Sequence, residues 1–269
     1  MHYRFEFVQR PAVTLALPLL DSQLGFQAQF HPIVEDVIHQ LKVGLGATLH
    51  SVYVAGSIAR CTAIPGRSDL NLTVIILRDL TAEEQSIISA IRLRFEGRQR
   101  LLTKLVFQIV TKDEVLALES VFSWGFWLKH CCRCYTGDDL STRYGRFEAS
   151  WDIAKTLNGD IAEQLGEYRQ KIMQTKVLAH YLDYCREIAK KMIWTCYSLV
   201  LHRSKGLALS LAEAADAFLL FYPDKRVEIE RLFLLVSGTQ VPKKASLFMI
   251  NDFGRWIKDE FDKIDRRIG

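Results

Sequence analysis

The chain has 269 residues, of which 49% are hydrophobic and 25% are charged, and its formal net charge is +4. This composition is typical of a globular protein and excludes a disordered or fibrous chain, and the length is sufficient for two domains. Basic and acidic residues are interleaved rather than clustered, so nucleic-acid binding is not indicated.

No segment reaches the roughly 18 consecutive apolar residues of a membrane span, and the N-terminal stretch lacks the apolar core of a signal peptide. Six cysteines are too few for a disulfide scaffold in a chain of this length. We therefore expect a cytoplasmic protein with reduced thiols and no membrane contact.

The first half alternates helical and strand patterns. Pro32 in a first turn and apolar residues at helical spacing predict a helix that ends at Gly46. Thr81 and Glu84 form a capping-box pattern at the start of another helix. Strands are predicted over residues 52–54, 70–77 and 105–110. Helices and strands in this order predict a small α/β domain with a mixed sheet.

The second half has a helical period throughout. Apolar residues recur every three or four positions from Val177 to Cys196, in a helix expected to reach Arg203. Further helices are predicted to start at Ser210 and at Pro223, and a last one covers residues 244–267. We therefore predict an α+β protein, with an α/β domain over residues 1–150 and an all-α helical bundle over residues 151–269.

A glycine-serine pair follows the first predicted strand. Gly56 lacks a Cβ and can take positive φ, which lets the backbone approach a ligand, and the Ser57 hydroxyl can meet phosphate oxygens. Arg60 and Arg67 would add positive charge to this loop. For both arginines a solvated loop position is the alternative.

Two oxygen-bearing side chains mark the start of the next strand. Asp69 and Asn71 share a face because side chains alternate with a period of two, and together they form half of a magnesium site. Ser68 precedes them as a further phosphate contact. Alternatively, Ser68 and Asp69 cap a turn before the strand.

The string GSIAR at residues 56–60, followed by SDLNL at residues 68–72, resembles the nucleotidyltransferase superfamily of the DNA polymerase β type. The strings YTGDDL at residues 135–140 and GLALSLAEAADAFLLFYP at residues 206–223 are similar to strings after the sheet and in the C-terminal bundle of aminoglycoside adenylyltransferase-like members. The resemblance covers residues 31–240. It implies that Gly56, Ser57, Arg60, Arg67 and Ser68 bind a nucleoside triphosphate, ATP by expectation. It also implies that Asp69 and Asn71 bind magnesium and that Asp69 is catalytic.

The sequence departs from the family pattern at the metal site. Active members use three carboxylates on two strands to bind two divalent ions. Here Asn71 replaces the second acid, and the third position falls on Val106 or Gln108. Asp113 and Glu114 lie five to eight residues beyond these positions, on the order of 16 to 26 Å along a strand, too far to substitute. Magnesium binding is therefore expected to be weak or absent.

Two functions stay open. In the first, the protein transfers a nucleotide to a hydroxyl acceptor bound between the domains. In the second, it is a non-catalytic relative that binds a nucleotide or a partner protein. Residues 152–269 hold nineteen lysines and arginines and sixteen acids, so the helical half has no acidic excess for a polycationic aminoglycoside.

Two further clusters are predicted to pack in the core. His130, Cys131, Cys132 and Cys134 lack a second pair at zinc-finger spacing and are expected on a helix. The aromatic stretch FSWGFW at residues 122–127 is expected at the domain interface, where Trp124 or Trp127 could border a nucleotide pocket.

Overall fold

A computed structural model describes residues 16–21, 24–204 and 206–269 of the chain. Most of the N-terminal stretch, residues 1–15, lies outside the described residues. The first half contains a four-stranded sheet and flanking helices. Its elements are α1 (His31–Leu45), β1 (Leu49–Ala55), the single turn α2 (Gly56–Ala59), β2 (Leu70–Ile76), α3 (Ala82–Arg98), β3 (Leu105–Thr111), α4 (Lys112–Leu116) and β4 (Cys132–Gly137).

The predicted helix signals are found at the ends of the first helices. Pro32 lies in the first turn of α1, and Gly46 follows its last residue with φ of 49°. At the start of α3, the Glu84 amide donates to the Thr81 hydroxyl at 3.2 Å and the Thr81 amide donates to the Glu84 carboxylate at 2.8 Å. The capping box predicted from the sequence is therefore confirmed.

The strands form a mixed sheet in the order β3-β2-β1-β4. β1 pairs antiparallel with β2 and β4, whereas β2 pairs parallel with β3. One face is covered by α1 and α3 around Val54, Leu72 and Val74. The other face, with Tyr53 and Ile75 at its centre, packs against residues of the segment between β3 and β4 and of β4 itself. The α+β class with a mixed sheet is thereby confirmed.

β4 corrects one prediction. Cys132 and Cys134 lie on this strand, opposite Ala55 and Tyr53 of β1, so their assignment to a helix was wrong. The helical pattern of the aromatic stretch ends one residue earlier, in the π-helical segment Trp127–Cys131. The YTGDDL string likewise begins inside the sheet, because Tyr135 belongs to β4.

The second half is all-helical, as predicted. Its helices are α5 (Trp151–Asn158), α6 (Ile161–Gln174), α7 (Leu178–Leu201), α8 (Leu211–Leu219), α9 (Arg226–Val236), α10 (Lys243–Met249) and α11 (Arg255–Ile268). α7 lies at the centre of this half and contacts α5, α6, α8 and α9. Ser210 caps α8 by accepting from the Glu213 amide at 3.2 Å, and Pro223 opens a 3-10 turn before α9. No helix in the described residues is long and apolar enough to cross a membrane.

The last predicted helix is two helices in the structure. A π-helical turn, Ile250–Gly254, separates α10 from α11. A Cβ on Gly254 would approach Cδ2 of Leu165 to 2.7 Å, so the glycine lets this turn pack closely against α6. The apolar spacing predicted most of the buried face, but Phe248, expected on that face, is exposed, and the change of helical type was not predicted.

Acid sensitivity is predicted at the start of α3. Hydrogen bonds from Arg78, the Thr81 amide and Thr48 hold the pKa of Glu84 at about 2, below its ordinary value of 4.5. A lowered pKa means that these contacts stabilise the fold fully above pH 4.5 and lose their effect as the pH falls toward 2. We expect Glu84→Gln to destabilise the protein at pH 7, and the loss to shrink between pH 4.5 and 2 in urea unfolding. The exposed neighbour Glu83→Gln is the control, and a loss independent of pH would contradict this assignment.

Candidate functional site

The turn after β1 brings backbone to the mouth of a cleft. Gly56 has φ of 72°, a conformation that glycine adopts without strain. A Cβ at this position would lie 3.0 Å from Nδ2 of Asn71, so the Asn71 amide packs directly against the glycine. Ser57 follows, half-buried, in the first turn of α2. The structure therefore brings Gly56, Ser57 and Asn71 together.

Asp69 directly precedes β2, two residues before Asn71. Its carboxylate accepts a hydrogen bond from the Thr103 hydroxyl, while the Leu70 amide donates to the Lys104 carbonyl at 2.9 Å. Asn71 stands opposite Ala55 in the antiparallel register of β1 and β2. Asp69 and Asn71 thus stand two residues apart at the end of β2 that adjoins the Gly56 turn.

Arg67 and Ser68 occupy the loop rather than the turn. The Arg67 side chain is exposed to solvent. The Ser68 hydroxyl accepts from the Ile64 amide at 2.9 Å, which closes a tight turn in the loop. Both residues are therefore at the edge of the site, and Ser68 has the turn-forming role that was its alternative interpretation.

No acid stands at the third position of the metal pattern. In the parallel register of β2 and β3, Val106 lies opposite Asn71 and Gln108 opposite Thr73. Gln108 accepts a hydrogen bond from Thr73 at 3.2 Å. Glu114 lies on α4, beyond the opposite end of β3, where its carboxylate accepts from the Trp124 indole at 3.1 Å.

These donors do not fit a two-ion magnesium site. Asp69 supplies one carboxylate and Asn71 one amide, and the amide carries no negative charge to balance a divalent ion. Within the described ranges, no group of three or more histidine, cysteine, aspartate or glutamate side chains is arranged to hold a metal. The residues present therefore match one part of the family's metal-binding set.

Arg60 follows the glycine turn directly, as the residue after α2. Its half-buried guanidinium lies between two cavities and makes no hydrogen bond or salt bridge with any described residue. Burial lowers its pKa, and the nearby Glu213 carboxylate acts in the opposite direction. Since a guanidinium stays ionised at neutral pH, Arg60 presents a positive charge to the cleft.

A cavity of about 290 Å³ separates this turn from the helical half. Gly56, Arg60 and Trp127 line its sheet side, and the Trp127 indole donates to the Thr73 hydroxyl at 3.0 Å. The opposite wall comes from α5, α7 and the segment before α8. Trp127 therefore borders this cavity, whereas Trp124 is not among its lining residues.

The helical wall contains residues that sequence reasoning missed. Four α7 residues line the cavity at positions i, i+3, i+4 and i+7 of one helix face, namely Trp194, Tyr197, Ser198 and Leu201. Asn158 at the end of α5 joins them. A serine within an apolar stripe of a buried helix is the sequence signal that could have indicated this face.

His130 belongs to the core, as predicted. Its ring is fully buried, Nδ1 lies 2.8 Å from the Pro18 carbonyl oxygen, and Nε2 accepts from the Phe147 amide at 3.0 Å. Burial also raises the pKa of the Cys132 thiol well above its ordinary value. Both ring nitrogens of His130 are engaged with the backbone of Pro18 and Phe147, so neither is available to bind a metal.

Cys61 carries backbone strain in the loop. It has φ of 58°, in the left-handed region that favours glycine. Its thiol donates to the Gly25 carbonyl at 3.1 Å. We expect Cys61→Gly to be more stable than Cys61→Ala by about 1 kcal/mol in urea unfolding, because both lose the thiol and only glycine relieves the strain. Equal stabilities would contradict the assigned conformation.

Comparison with known proteins gives a structural match. No protein-family model matches the sequence, and no curated protein matches it. The fold is similar to that of spectinomycin adenyltransferase AAD(9) from Enterococcus faecialis, solved with ATP and spectinomycin, with a TM-score of 0.58 and 15% identity. The match covers 86% of this chain and 99% of that protein. The chain therefore has the fold of a nucleotidyltransferase with a C-terminal helical region.

Proposed function

We propose that this protein binds a nucleoside triphosphate in the cleft between its sheet and its helical half, and we expect this nucleotide to be ATP. The observation that carries the proposal is the Gly56 turn with φ of 72°, which opens into the cleft beside the Arg60 guanidinium, a group without a partner among the described residues. The proposed place of action is the cytoplasm.

The phosphate contacts are assigned by chemistry. Gly56 offers its amide without a side chain in the way, Ser57 adds a hydroxyl, and Arg60 adds a charge-assisted donor suited to phosphate oxygens. Arg67 and Ser68 lie further out, where an exposed arginine contributes less because solvent screens it. ATP bound to the fold neighbour supports the choice of nucleotide.

The donor set favours binding without metal-dependent transfer. In the family mechanism the ions offset charge at the reacting phosphate, and the replacement of two of three carboxylates removes most of what would hold them. A non-catalytic nucleotide-binding protein is therefore the function that the geometry supports best. In a variant of this proposal, a partner protein binds at the same cleft, and nucleotide binding regulates its association with this protein.

Nucleotidyl transfer to a hydroxyl acceptor is the second candidate. The retained Gly56, Ser57 and Asp69 favour it, as does a fold neighbour whose structure holds both ATP and spectinomycin. In this candidate Asp69 and Asn71 hold a weakened magnesium site and Asp69 is catalytic.

We propose that the two halves are domains with a boundary after residue 150. Ser150 caps α5 by accepting from the Ile153 amide at 3.3 Å, so a new helical element begins there. The helical half has a buried core around Ile193 and Phe218 that also takes in Leu17 and Phe126 of the first half and is separate from the two cores around the sheet. The cleft is then a domain interface, a common position for ligand sites.

Isothermal titration with ATP tests the proposal. We expect one nucleotide per chain, with similar affinity in magnesium and in EDTA, and no pyrophosphate release. Gly56→Val should abolish binding because a β-branched residue at positive φ displaces the turn and Asn71. Binding that requires magnesium, with pyrophosphate release, would favour the second candidate, and no heat with ATP would contradict both.

The substitution Asn71→Asp distinguishes a weakened metal site at Asp69 and Asn71 from the absence of a metal site there. A second carboxylate beside Asp69 adds the charge that a divalent ion needs but repels phosphate when no ion is present. We expect ATP affinity to rise about tenfold in magnesium, which corresponds to about 1.4 kcal/mol, and to fall in EDTA. Asn251→Asp, an exposed change in the helical half, is the control. An unchanged magnesium response would remove Asn71 from the metal assignment.

A further inference from the structure

The cavity beside the Gly56 turn is apolar and aromatic. Phe126 and Trp127 from the first half and Trp194 and Tyr197 from α7 line it, together with leucines from α5, α7 and the segment before α8. Its volume of about 290 Å³ is close to the lower end for small-molecule sites. Aromatic side chains contributed by both halves are suited to pack against a flat ring.

The side chains that line this cavity disfavour a cationic ligand, and the nearby Glu213 carboxylate lies in the neighbouring cavity on the other side of Arg60. No carboxylate is among the described residues that line it, and Arg60 supplies a positive charge at its edge. The other ionisable lining groups are neutral at pH 7, because burial raises the pKa of Cys131 to about 12 and also raises the pKa of Tyr197. A polyamine or aminosugar would lose its hydration here without gaining a counter-charge.

A polar pair gives the cavity one specific contact. Asn158 and Ser198 are both buried, and the Asn158 amide donates to the Ser198 hydroxyl oxygen at 2.8 Å. The Asn158 carbonyl oxygen and the Ser198 hydroxyl hydrogen make no further bond to residues that the structure describes. A free acceptor beside a free donor is complementary to a hydroxyl group, which both donates and accepts.

We propose that this cavity binds a small uncharged aromatic compound carrying a hydroxyl group, as a second ligand beside the nucleotide. The phosphates of the nucleotide lie outside the Gly56 and Arg60 edge of the cavity, and the ring lies inside it among the aromatic side chains. The hydroxyl bonds to Asn158 and Ser198. The position of this ligand next to a nucleotide rests on the proposed function, whereas its chemistry rests on the cavity alone.

Isothermal titration with 1-naphthol, and with 1-naphthylmethylamine as the cationic analogue, tests this inference on the full chain. We expect one site for 1-naphthol, at least tenfold weaker binding of the amine, and unchanged 1-naphthol affinity at saturating ATP. Ser198→Ala should weaken 1-naphthol about tenfold by removing the hydroxyl contact. Phe248→Ala removes an exposed ring outside the cavity and should change nothing.

Each outcome separates the two proposals. Failure of 1-naphthol to bind, equal affinity for the amine, or displacement of 1-naphthol by ATP would overturn the second-ligand site. Binding of 1-naphthol without any binding of ATP would overturn the proposed nucleotide function and support the cavity's chemistry. If Ser198→Ala lowers the melting temperature of the free protein, Trp194→Ala, one turn earlier on the same face of α7, serves as the second variant, with the same expected loss.

Discussion

Arg60→Gln is expected to weaken ATP binding by about 10- to 100-fold. A charged hydrogen bond in a partly buried site contributes about 1.5 to 3 kcal/mol. Arg60 lines the cleft, and its guanidinium makes no hydrogen bond or salt bridge with any residue that the structure describes. Its removal should leave stability within about 0.5 kcal/mol of the original, because no hydrogen bond or salt bridge within the described chain is lost. Isothermal titration and urea unfolding measure the two quantities on the same samples.

The matched control removes the same charge elsewhere. Arg98 is exposed near the end of α3, away from the cleft, and Arg98→Gln should leave ATP affinity unchanged. Arg60→Lys, which keeps the charge but loses the planar donor pair, should fall between the original protein and Arg60→Gln. If Arg60→Gln destabilises the fold while ATP affinity is unchanged, Arg60 has a structural role and not a phosphate role.

Gly137→Ala should destabilise the fold by about 3 kcal/mol or more. Gly137 has φ of 83° at the end of β4, and a Cβ there would overlap the His50 carbonyl and lie 2.7 Å from Cα of Ser51. Backbone at this distance cannot rotate away as a side chain can, so strain and overpacking add. Urea unfolding measures the loss of stability. A variant that does not accumulate in folded form would indicate an even larger loss.

Gly145→Ala is the control for this change. Gly145 lies in the same region without positive φ, and a Cβ added there would meet no heavy atom within 4 Å, so alanine should be tolerated. Equal stability of the two variants would mean that β4 does not end in the tight pairing with β1 described here.

The sequence predicted those parts of the fold that local signals determine. The capping box at Thr81, the cap at Ser210 and the long apolar stripe of α7 each follow from side chains within one or two turns. β4 was missed because its residues follow the aromatic stretch without a turn signal, and its strand conformation is fixed by pairing with β1. Long-range pairing of this kind leaves little trace in a local pattern.

In the candidate site, too, the sequence predicted the local features and missed those that depend on packing. Gly56 and Asn71 could be paired from the sequence because the turn and the strand are near each other along the chain. The helical wall of the cavity could not be predicted from the sequence. Asn158 and Ser198 lie in the same cavity as Trp127 only because α5 and α7 pack against the sheet half. Arg60 was predicted as a phosphate contact, but the absence of a protein partner within the described chain is a property of the packed structure.

A crystal structure of the protein with a non-hydrolysable ATP analogue would show whether the Gly56 turn holds phosphate. We predict phosphate oxygens within hydrogen-bond distance of the Gly56 or Ser57 amides and of the Arg60 guanidinium, in crystals grown with or without manganese. An analogue bound elsewhere, or an Arg60 guanidinium turned away from its phosphates, would contradict nucleotide binding at this turn.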